Sequence, residues 1–415
     1  MRHRQDVAIL GAGIDALAAS MALSQRGIDH LWVAERSRVG GHFRGWTPGS
    51  CSIGLQDLGM VALEPDFRGA VAAPLANYCG QIGSDIRPFL PEAFAFLKAR
   101  GLRKEELAVT TLYRGEEFPD YFIADCFDAL DSLDDTERRL IAAELEERIS
   151  WDNDIRHKSS PVSGIHGIQL AEVLTRALGP RMTKEFFSDF LSCLVPDGEV
   201  LASDHRLVWM PLYWPSSVSD FLTSGKRLPK VDFWSDQSGL VATFVSRLVD
   251  EAIDQTACQL TDSVTSEAEP RIVLDFAAPI GPRRRVSIAV AHFCIDETSP
   301  RSVFITQPIH GFFRISFRRT VSGTSAILEA GGNPKDHDAT LEQGRELLES
   351  VFGIRALCPG DVMTGFVPVS RPQVDEAPYA PLDGAFGANL GLNFNESLVR
   401  GLAAAQQLVE KYDYR

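Results

Sequence analysis

The sequence lacks the long apolar run that a membrane-spanning helix needs, and no signal-like apolar region precedes its first predicted strand. We therefore expect no transmembrane segment. The chain is also poor in positive charge, with a net charge of −15 at pH 7. Such an acidic balance argues against binding to the phosphate backbone of a nucleic acid.

Cysteine usage excludes two further kinds of site. The seven cysteines are odd in number and scattered, and no C-x-x-C pair occurs. This spacing predicts neither a zinc site nor a disulfide framework, so a reducing cytoplasm is the expected location. No other metal-ligating cluster and no G-x-S-x-G nucleophile motif is present, and we expect no bound metal. The length of 415 residues suits two or three structural units.

What the chain does have is a glycine-rich turn near its start. Residues 7–10 form a short apolar run that is typical of a buried parallel strand, and the sequence GAGIDA follows. In this G-x-G-x-x-A pattern, Gly11 permits a tight turn and Gly13 lets a pyrophosphate approach the backbone. Ala16 lets the following helix lie close to the sheet. The free amides at the start of that helix would hold the pyrophosphate.

An acidic residue follows at the distance that a dinucleotide requires. A second predicted strand, 31–34, leads into Glu35, which lies 35 − 13 = 22 residues after Gly13. An acid at this spacing accepts hydrogen bonds from ribose hydroxyl groups. Strand, turn, helix, strand and acid occur in the order of a nucleotide-binding unit, so the sequence predicts a dinucleotide cofactor rather than a purely structural βαβ unit.

The residues after Glu35 indicate which dinucleotide. A basic link that begins with Arg36 leads to the pair Gly40 and Gly41. This segment resembles the E-x-x-x-x-G-G stretch of FAD-binding flavoproteins of the amine oxidase, protoporphyrinogen oxidase and UDP-galactopyranose mutase superfamily. The resemblance implies FAD as the cofactor. It also implies that the acid binds the adenosine ribose and that the glycine pair lies along the pyrophosphate and ribityl chain.

Two later segments extend the resemblance. The stretch with Gly59 and Met60 is similar to the strand and turn beneath the flavin ring, although the histidine common there is missing. The resemblance implies flavin contacts for both residues, and an ordinary strand and turn is the alternative. The loop with Asn389 and Asn395 precedes a helix similar to the last helix of the superfamily. We assign both asparagines to the cofactor site, although the usual acid of this loop is absent.

Candidate catalytic residues lie between these segments. Trp209 and Tyr213 belong to an aromatic, proline-rich stretch that would line a pocket, although such clusters more often form a core. Arg314 lies between two apolar strand residues. Mutase-like relatives place an arginine in a comparable pair near the flavin or an anionic substrate, and a solvent-facing strand arginine is the alternative.

The predicted fold class is α/β. It combines a Rossmann-like FAD domain, discontinuous in sequence, with a substrate domain of helices and an antiparallel sheet within residues 285–330. We assign residues 1–70, 232–284 and 360–415 to the FAD domain and residues 71–231 and 285–359 to the substrate domain. Periodic apolar residues predict helices over 134–149, 168–178, 183–193, 241–253, 340–352 and 398–410.

Three functions agree with these features. The first is an FAD-dependent oxidoreductase that acts on a small-molecule substrate, with sugar or secondary-metabolite biosynthesis as its setting. The second is a non-redox flavoenzyme of the nucleotide-sugar mutase type. The third is a binding protein that has kept the fold without catalysis. The sequence indicates neither the substrate nor the oligomeric state.

Overall fold

The computed structural model describes most of the predicted elements. Among the described residues, no helix has the length and apolar character needed to cross a membrane. The described residues are 6–41, 90–101, 103–105, 108–118, 128–148, 169–194, 224–225, 233–235, 241–262, 270–276, 285–320, 323–368 and 394–412.

These residues form two larger sheets, a two-stranded ribbon and surrounding helices. The strands are β1 (Val7–Leu10), β2 (His30–Val33), β3 (Arg103–Glu105), β4 (Ala108–Tyr113), β5 (Glu116–Phe118), β6 (Phe233–Ser235), β7 (Cys258–Thr261), β8 (Ile272–Asp275), β9 (Arg285–Ile295), β10 (Arg301–Ile309), β11 (Phe312–Thr320), β12 (Gly323–Gly331) and β13 (Asp361–Pro368). The α-helices are α1 (Ile14–Gln25), α2 (Leu90–Ala99), α3 (Asp128–Asp131), α4 (Asp135–Glu146), α5 (Leu170–Leu178), α6 (Pro180–Phe186), α7 (Ser188–Leu194), α8 (Val241–Ile253), α9 (His337–Phe352) and α10 (Phe394–Tyr412).

The first sheet is parallel and has the order β7-β2-β1-β8. Ile9 of β1 lies opposite Trp32 of β2 on one side and Leu274 of β8 on the other. The strand β7, from the middle of the chain, extends the sheet beyond β2. Because every described pairing in this sheet is parallel, the carboxyl ends of its strands share one edge, which is where open α/β sheets bind ligands.

The helix α1 is buried on all sides. Its residues 14–23 are all buried, so it lacks the polar stripe of a surface helix. The sheet covers one side, and α8 and α10 cover others, in a core that includes Leu17, Trp32, Phe244 and Leu402. Both β1 and α1 lie in the middle of this core, so their packing holds the turn between them in place.

The second sheet has seven strands in the order β13-β9-β12-β11-β10-β4-β5. It is mixed rather than purely antiparallel, because β4 pairs with β10 in parallel. The prediction of an antiparallel sheet within residues 285–330 is confirmed, because β9, β12, β11 and β10 pair in antiparallel register, and β4 adds a parallel strand from outside that range. Alternation within residues 285–330 indicates strands, but it carries no information about a partner strand that comes from far earlier in the chain.

The strand β13 also belongs to this second sheet, where it pairs with β9 in antiparallel register. The sequence-based division assigns residues 361–368 to the FAD domain. Their hydrogen bonds place them at the edge of the seven-stranded sheet. The division of the whole chain into a cofactor domain and a substrate domain stays a prediction.

The predicted helices occur, with one interruption. The segment predicted as one helix over 183–193 consists of α6 and α7, which are separated at Phe187. The backbone of Phe187 has φ −117° and ψ −30°, which departs from regular helical geometry. The apolar spacing continues across this break, so the pattern alone does not reveal it.

Candidate functional site

The glycine-rich turn joins β1 to α1 at the carboxyl edge of the parallel sheet. Gly11 has φ 122°, a conformation that side chains disfavour, and its carbonyl accepts a hydrogen bond of 2.8 Å from the indole of Trp32. Gly13 caps the start of α1 in extended geometry and provides no side-chain capping bond. The first-turn amides of α1 therefore begin directly after a glycine turn, and their binding of an anion stays a prediction.

The glycine pair after β2 folds back onto this turn. The amide of Gly40 donates to the carbonyl of Ala12 at 2.8 Å. Gly41 has φ 59°, and a Cβ atom built on it would lie 3.5 Å from the Cα of Gly13. Two glycine segments, residues 11–13 and 40–41, thus lie against each other, and the methyl group of Ala12 is their one side chain.

Glu35 lies just beyond the end of β2 at the same edge of the sheet. Its side chain is 54% exposed, with Oε2 lying 2.8 Å from Nε of Arg38 and Oε1 accepting from the hydroxyl of Ser37. A short 3₁₀ turn of residues 36–38, which includes Arg36, leads from Glu35 to the glycine pair. Both carboxylate oxygens can accept further bonds, so Glu35 suits a ribose that lies along this edge.

The last helix lies beside α1 and runs in the same direction. Asp15 near the start of α1 contacts Arg400, and Arg26 just after its end contacts Gln406. The start of α10 therefore projects toward the edge that carries the glycine turn. Asn395 lies in the first turn of α10, and its contact with a flavin stays a prediction.

These residues fit the phosphate and ribose part of a dinucleotide. The surface formed by residues 11–13 and 40–41 is mostly backbone, a helix N-terminus lies behind it, and the exposed carboxylate of Glu35 flanks it. The structure thus brings together Gly11, Gly13, Ala16, Glu35, Arg36, Gly40 and Gly41. The remaining predicted residues Gly59, Met60, Trp209, Tyr213 and Asn389 lie outside the described residues.

Arg314 is not a solvent-facing strand residue. Its side chain is 14% exposed and pairs with Glu329 on the neighbouring strand β12, which is 1% exposed. Nε of Arg314 donates to Oε2 of Glu329 at 3.2 Å, and Nη2 donates to the same oxygen. The other oxygen, Oε1, is buried and has no hydrogen-bond partner within the described part of the chain.

This pair lies on a buried polar surface, which we call the polar sheet face. The opposite face of the sheet packs on α9 through apolar residues such as Phe293, Ile315 and Leu328. Side chains alternate along a strand, so the residues between them point to the polar side. The polar sheet face consists of Thr111, His292, Ser302, Thr306, Arg314, Ser316, Arg318, Ser325 and Glu329.

Hydrogen bonds hold several of these side chains in place. The hydroxyl oxygens of Ser302 and Ser316 lie 3.0 Å apart, and Nε2 of His292 lies 3.0 Å from the hydroxyl oxygen of Ser325. Burial lowers the pKa of His292 to about 4, although the nearby Asp361 acts in the opposite direction. The imidazole is therefore neutral at pH 7. Burying so many polar groups costs desolvation free energy, which their hydrogen bonds offset.

Helices α6 and α7 pack on the same side of the sheet. The hydroxyl of Tyr113 donates to Glu185 of α6 at 2.5 Å, and the rings of Phe313 and Phe190 of α7 meet edge to face. A Cβ atom on Gly331 would lie 1.8 Å from the carbonyl oxygen of Cys193, so the end of α7 touches the strand backbone. Helices α6 and α7 thus cover the end of this face that carries Tyr113, Phe313 and Gly331.

Sequence reasoning missed two buried charged pairs. The pair Asp15 and Arg400 links the glycine turn to the last helix, and the pair Arg314 and Glu329 links two strands. Asp15 could have been singled out from the sequence, because an acid in the first turn of a helix places a negative charge where an anion would bind. Its partner lies 385 residues away, and no local pattern identifies it.

Comparisons with known proteins agree with this architecture. No protein-family model and no curated protein matches the sequence. A solved structure of reduced UDP-galactopyranose mutase matches with a TM-score of 0.65 and 12% identity, over 98% of this chain and 94% of that chain. Cyclohexylamine oxidase from Brevibacterium oxydans matches with a TM-score of 0.57 and 15% identity, over 99% and 100%. Putrescine oxidase bound to putrescine matches with a TM-score of 0.55 and 13% identity, over 98% of this chain and 99% of that chain. The predicted fold class is confirmed, and the chain has the fold of UDP-galactopyranose mutase and these two oxidases.

Proposed function

We propose that the chain is an FAD-dependent oxidoreductase that acts on a small-molecule substrate. The observation that carries this proposal is the contact between two glycine segments, residues 11–13 and 40–41, at the N-terminus of α1. A nicotinamide-binding unit needs the first segment only, whereas the second segment, directly after Glu35, matches the FAD pattern of the superfamily named above. Both segments lie at the ligand-binding edge of the parallel sheet.

Each part of this edge has a task in the proposal. The first-turn amides of α1 bind the pyrophosphate, and Glu35 binds the adenosine ribose. We assign Asn395 and the start of α10 to the flavin end, and the sequence resemblance assigns Gly59, Met60 and Asn389 to the same end. When bound, FAD supplies the acceptor for a hydride that leaves the substrate.

The substrate side of the proposal is the polar sheet face. Ligand sites combine enclosure with a few fixed polar groups, and this face offers buried hydroxyl groups. Arg314 stays a candidate there, but its charge is shared with Glu329, so it would orient a substrate rather than supply an isolated positive charge. Trp209 and Tyr213 complete the set of candidate catalytic residues.

A second candidate is a non-redox flavoenzyme of the nucleotide-sugar mutase type. The observation in its favour is the TM-score of 0.65 to reduced UDP-galactopyranose mutase, compared with 0.57 and 0.55 for the two oxidases. The two candidates differ in the oxidation state of the flavin that each needs for turnover. An oxidoreductase bleaches its flavin when substrate is added, whereas a mutase turns over only after the flavin has been reduced with dithionite.

The test of the proposal is the flavin content of the purified protein. We expect FAD to copurify or to bind on reconstitution, and acid precipitation should release all of it into the supernatant because no attachment motif is present. Chromatography of the supernatant distinguishes FAD from FMN. A protein that takes up no flavin under any reconstitution condition would have kept the fold as a binding protein, and the proposal would be wrong.

A further inference from the structure

The glycine turn carries a negative charge of its own. Asp15 is 6% exposed, and its Oδ1 accepts a hydrogen bond of 2.9 Å from the amide of Ala16 in the first turn of α1. A Cβ atom built on Gly13 would lie 2.5 Å from the same Oδ1. The carboxylate therefore lies against Gly13, within a few ångströms of the turn that an incoming pyrophosphate would approach.

This placement creates an electrostatic conflict. A helix N-terminus stabilises one nearby anion through its amides and dipole. A pyrophosphate brings further negative charge to the same few ångströms, and the two anions repel each other strongly where water is excluded. The turn therefore needs a compensating cation if it is to bind a dinucleotide.

Arg400 of α10 is that cation. Its Nη1 lies 3.2 Å from Oδ2 of Asp15, and the two side chains are only 4% and 9% exposed. Gly401 fixes this approach, because a Cβ atom on it would lie 2.1 Å from the carbonyl oxygen of Asp15 and 2.7 Å from Cβ of Ala18. The helices touch backbone to backbone, and the guanidinium has little freedom to leave.

We propose that Arg400 is a positioning residue of the cofactor site. It holds the Asp15 carboxylate and offsets its charge, so that the N-terminus of α1 can accept a pyrophosphate. Cofactor affinity then depends on the docking of the C-terminal helix. This inference rests on the proposed FAD site, and it assigns to Arg400 a role that acts through Asp15 rather than through the cofactor itself.

The test asks whether removing the charge of Asp15 restores the FAD affinity that is lost when Arg400 is replaced. Apoprotein of the wild type, Arg400→Met, Asp15→Ser and the double variant is titrated with FAD, and the melting temperature of each apoprotein is measured in parallel. We expect Arg400→Met to weaken FAD binding by about tenfold or more. Asp15→Ser should bind FAD at least as tightly as the wild type, and the double variant should return to within about threefold of it.

Two further variants separate charge from packing. Arg400→Lys keeps the charge and should retain affinity within about threefold of the wild type. Arg26→Met removes an exposed arginine that contacts Gln406 across the same helix pair, away from the turn, and should leave FAD affinity unchanged. A purely structural Arg400 would lower the melting temperature of the apoprotein without rescue of affinity in the double variant.

The outcomes distinguish this inference from the proposed function. If the wild type binds FAD and Arg400→Met binds it equally well, or if the double variant is no better than Arg400→Met, the positioning role is wrong and the FAD site stands. If Arg400→Met does not fold, weaker FAD binding by Asp15→Ser would overturn the inference. A wild type that binds no FAD overturns both.

Discussion

Glu35 is the side chain on which the ribose assignment depends. It already bonds to Ser37 and Arg38, which orient the carboxylate at the edge of the sheet while leaving it 54% exposed. Two further charge-assisted bonds to ribose hydroxyl groups would contribute about 1.5–3 kcal/mol each before desolvation. We expect Glu35→Ala to weaken FAD binding about tenfold or more, on the order of 1.4 kcal/mol, in a titration of the apoprotein.

The matched control is Glu342→Ala, which removes an exposed acid from α9. It should leave FAD affinity at the wild-type value, because it lies on a helix of the other sheet. Equal FAD affinity and equal melting temperature in Glu35→Ala and the wild type would show that the ribose is bound elsewhere.

His292 predicts how stability responds to acid. Burial lowers its pKa to about 4, whereas the usual value is 6.5. Below pH 6.5 the unfolded chain takes up a proton that the folded chain does not, so the free energy of unfolding falls until about pH 4. The difference in pKa bounds this loss at about 3 kcal/mol. Burial also lowers the pKa of His30, which adds a loss of the same sign.

Urea unfolding at about pH 7.5 and about pH 4.5 measures this effect. His292→Gln keeps a hydrogen-bonding group near Ser325 but cannot be protonated, so it should lose less stability on acidification than the wild type. His337→Gln, at an exposed position at the start of α9, should lose as much as the wild type. An equal loss in His292→Gln and the wild type would mean that His292 does not titrate differently in the two states.

At the scale of elements, the pair Arg314 and Glu329 joins β11 to β12 inside the protein. Breaking such a pair leaves an uncompensated buried charge and typically costs about 3–5 kcal/mol. We therefore expect Arg314→Met to lower the free energy of unfolding by roughly 3 kcal/mol, because Glu329 is 1% exposed. Urea unfolding of the apoprotein provides the measurement.

The double variant Arg314→Met with Glu329→Leu is the control. It removes both charges, and an apolar pair of similar size often recovers the lost stability. If Arg314→Met is as stable as the wild type but substrate no longer bleaches the flavin, the arginine acts on the substrate and the structural account fails. The two results separate a pair that holds strands together from one that orients a ligand.

Local sequence patterns predicted where helices and strands lie better than they predicted which strands pair. The helix predicted over 241–253 matches α8, and the strand predicted over 31–34 lies one residue from β2. The parallel pairing of β4 with β10 and the place of β13 beside β9 escaped prediction. Apolar periodicity records which side of a segment is buried, whereas the identity of its neighbour depends on the whole chain.

In the candidate site, too, contacts between residues close in sequence were predictable and a contact between distant residues was not. The contact of Gly40 and Gly41 with the turn of Gly11 and Gly13 follows from a motif whose parts are close in sequence. The pairing of Asp15 with Arg400 does not, because it joins residues from opposite ends of the chain. Charge compensation at the turn is a property of packed helices, and a sequence motif does not encode it.

At the scale of the whole molecule, the two ends of the chain complete one core. Residues of β1 and α1 pack with Leu398, Leu402 and Leu408 of the last helix in the same cluster. This closure brings the start of α10 to the edge where the cofactor is proposed to bind. The stability of that edge therefore depends on how closely the terminal helix lies on α1.

Gly401 sets this distance and provides the last prediction. In an isolated helix, alanine is more favourable than glycine by about 1 kcal/mol. At this position the added Cβ would lie 2.1 Å from the carbonyl oxygen of Asp15 and 3.0 Å from the amide nitrogen of Ala19. Both are backbone atoms of a buried helix and cannot turn aside, so the crowding, about 1–3 kcal/mol, outweighs the helical gain.

We expect Gly401→Ala to lower the free energy of unfolding by roughly 1–2 kcal/mol and, because the shift of α10 moves Arg400, to weaken FAD binding. Glu410→Ala changes an exposed residue of the same helix and should stay within about 0.5 kcal/mol of the wild type. Urea unfolding and FAD titration of both variants provide the measurement. A more stable Gly401→Ala would show that helical propensity governs this position and that the two helices do not touch there.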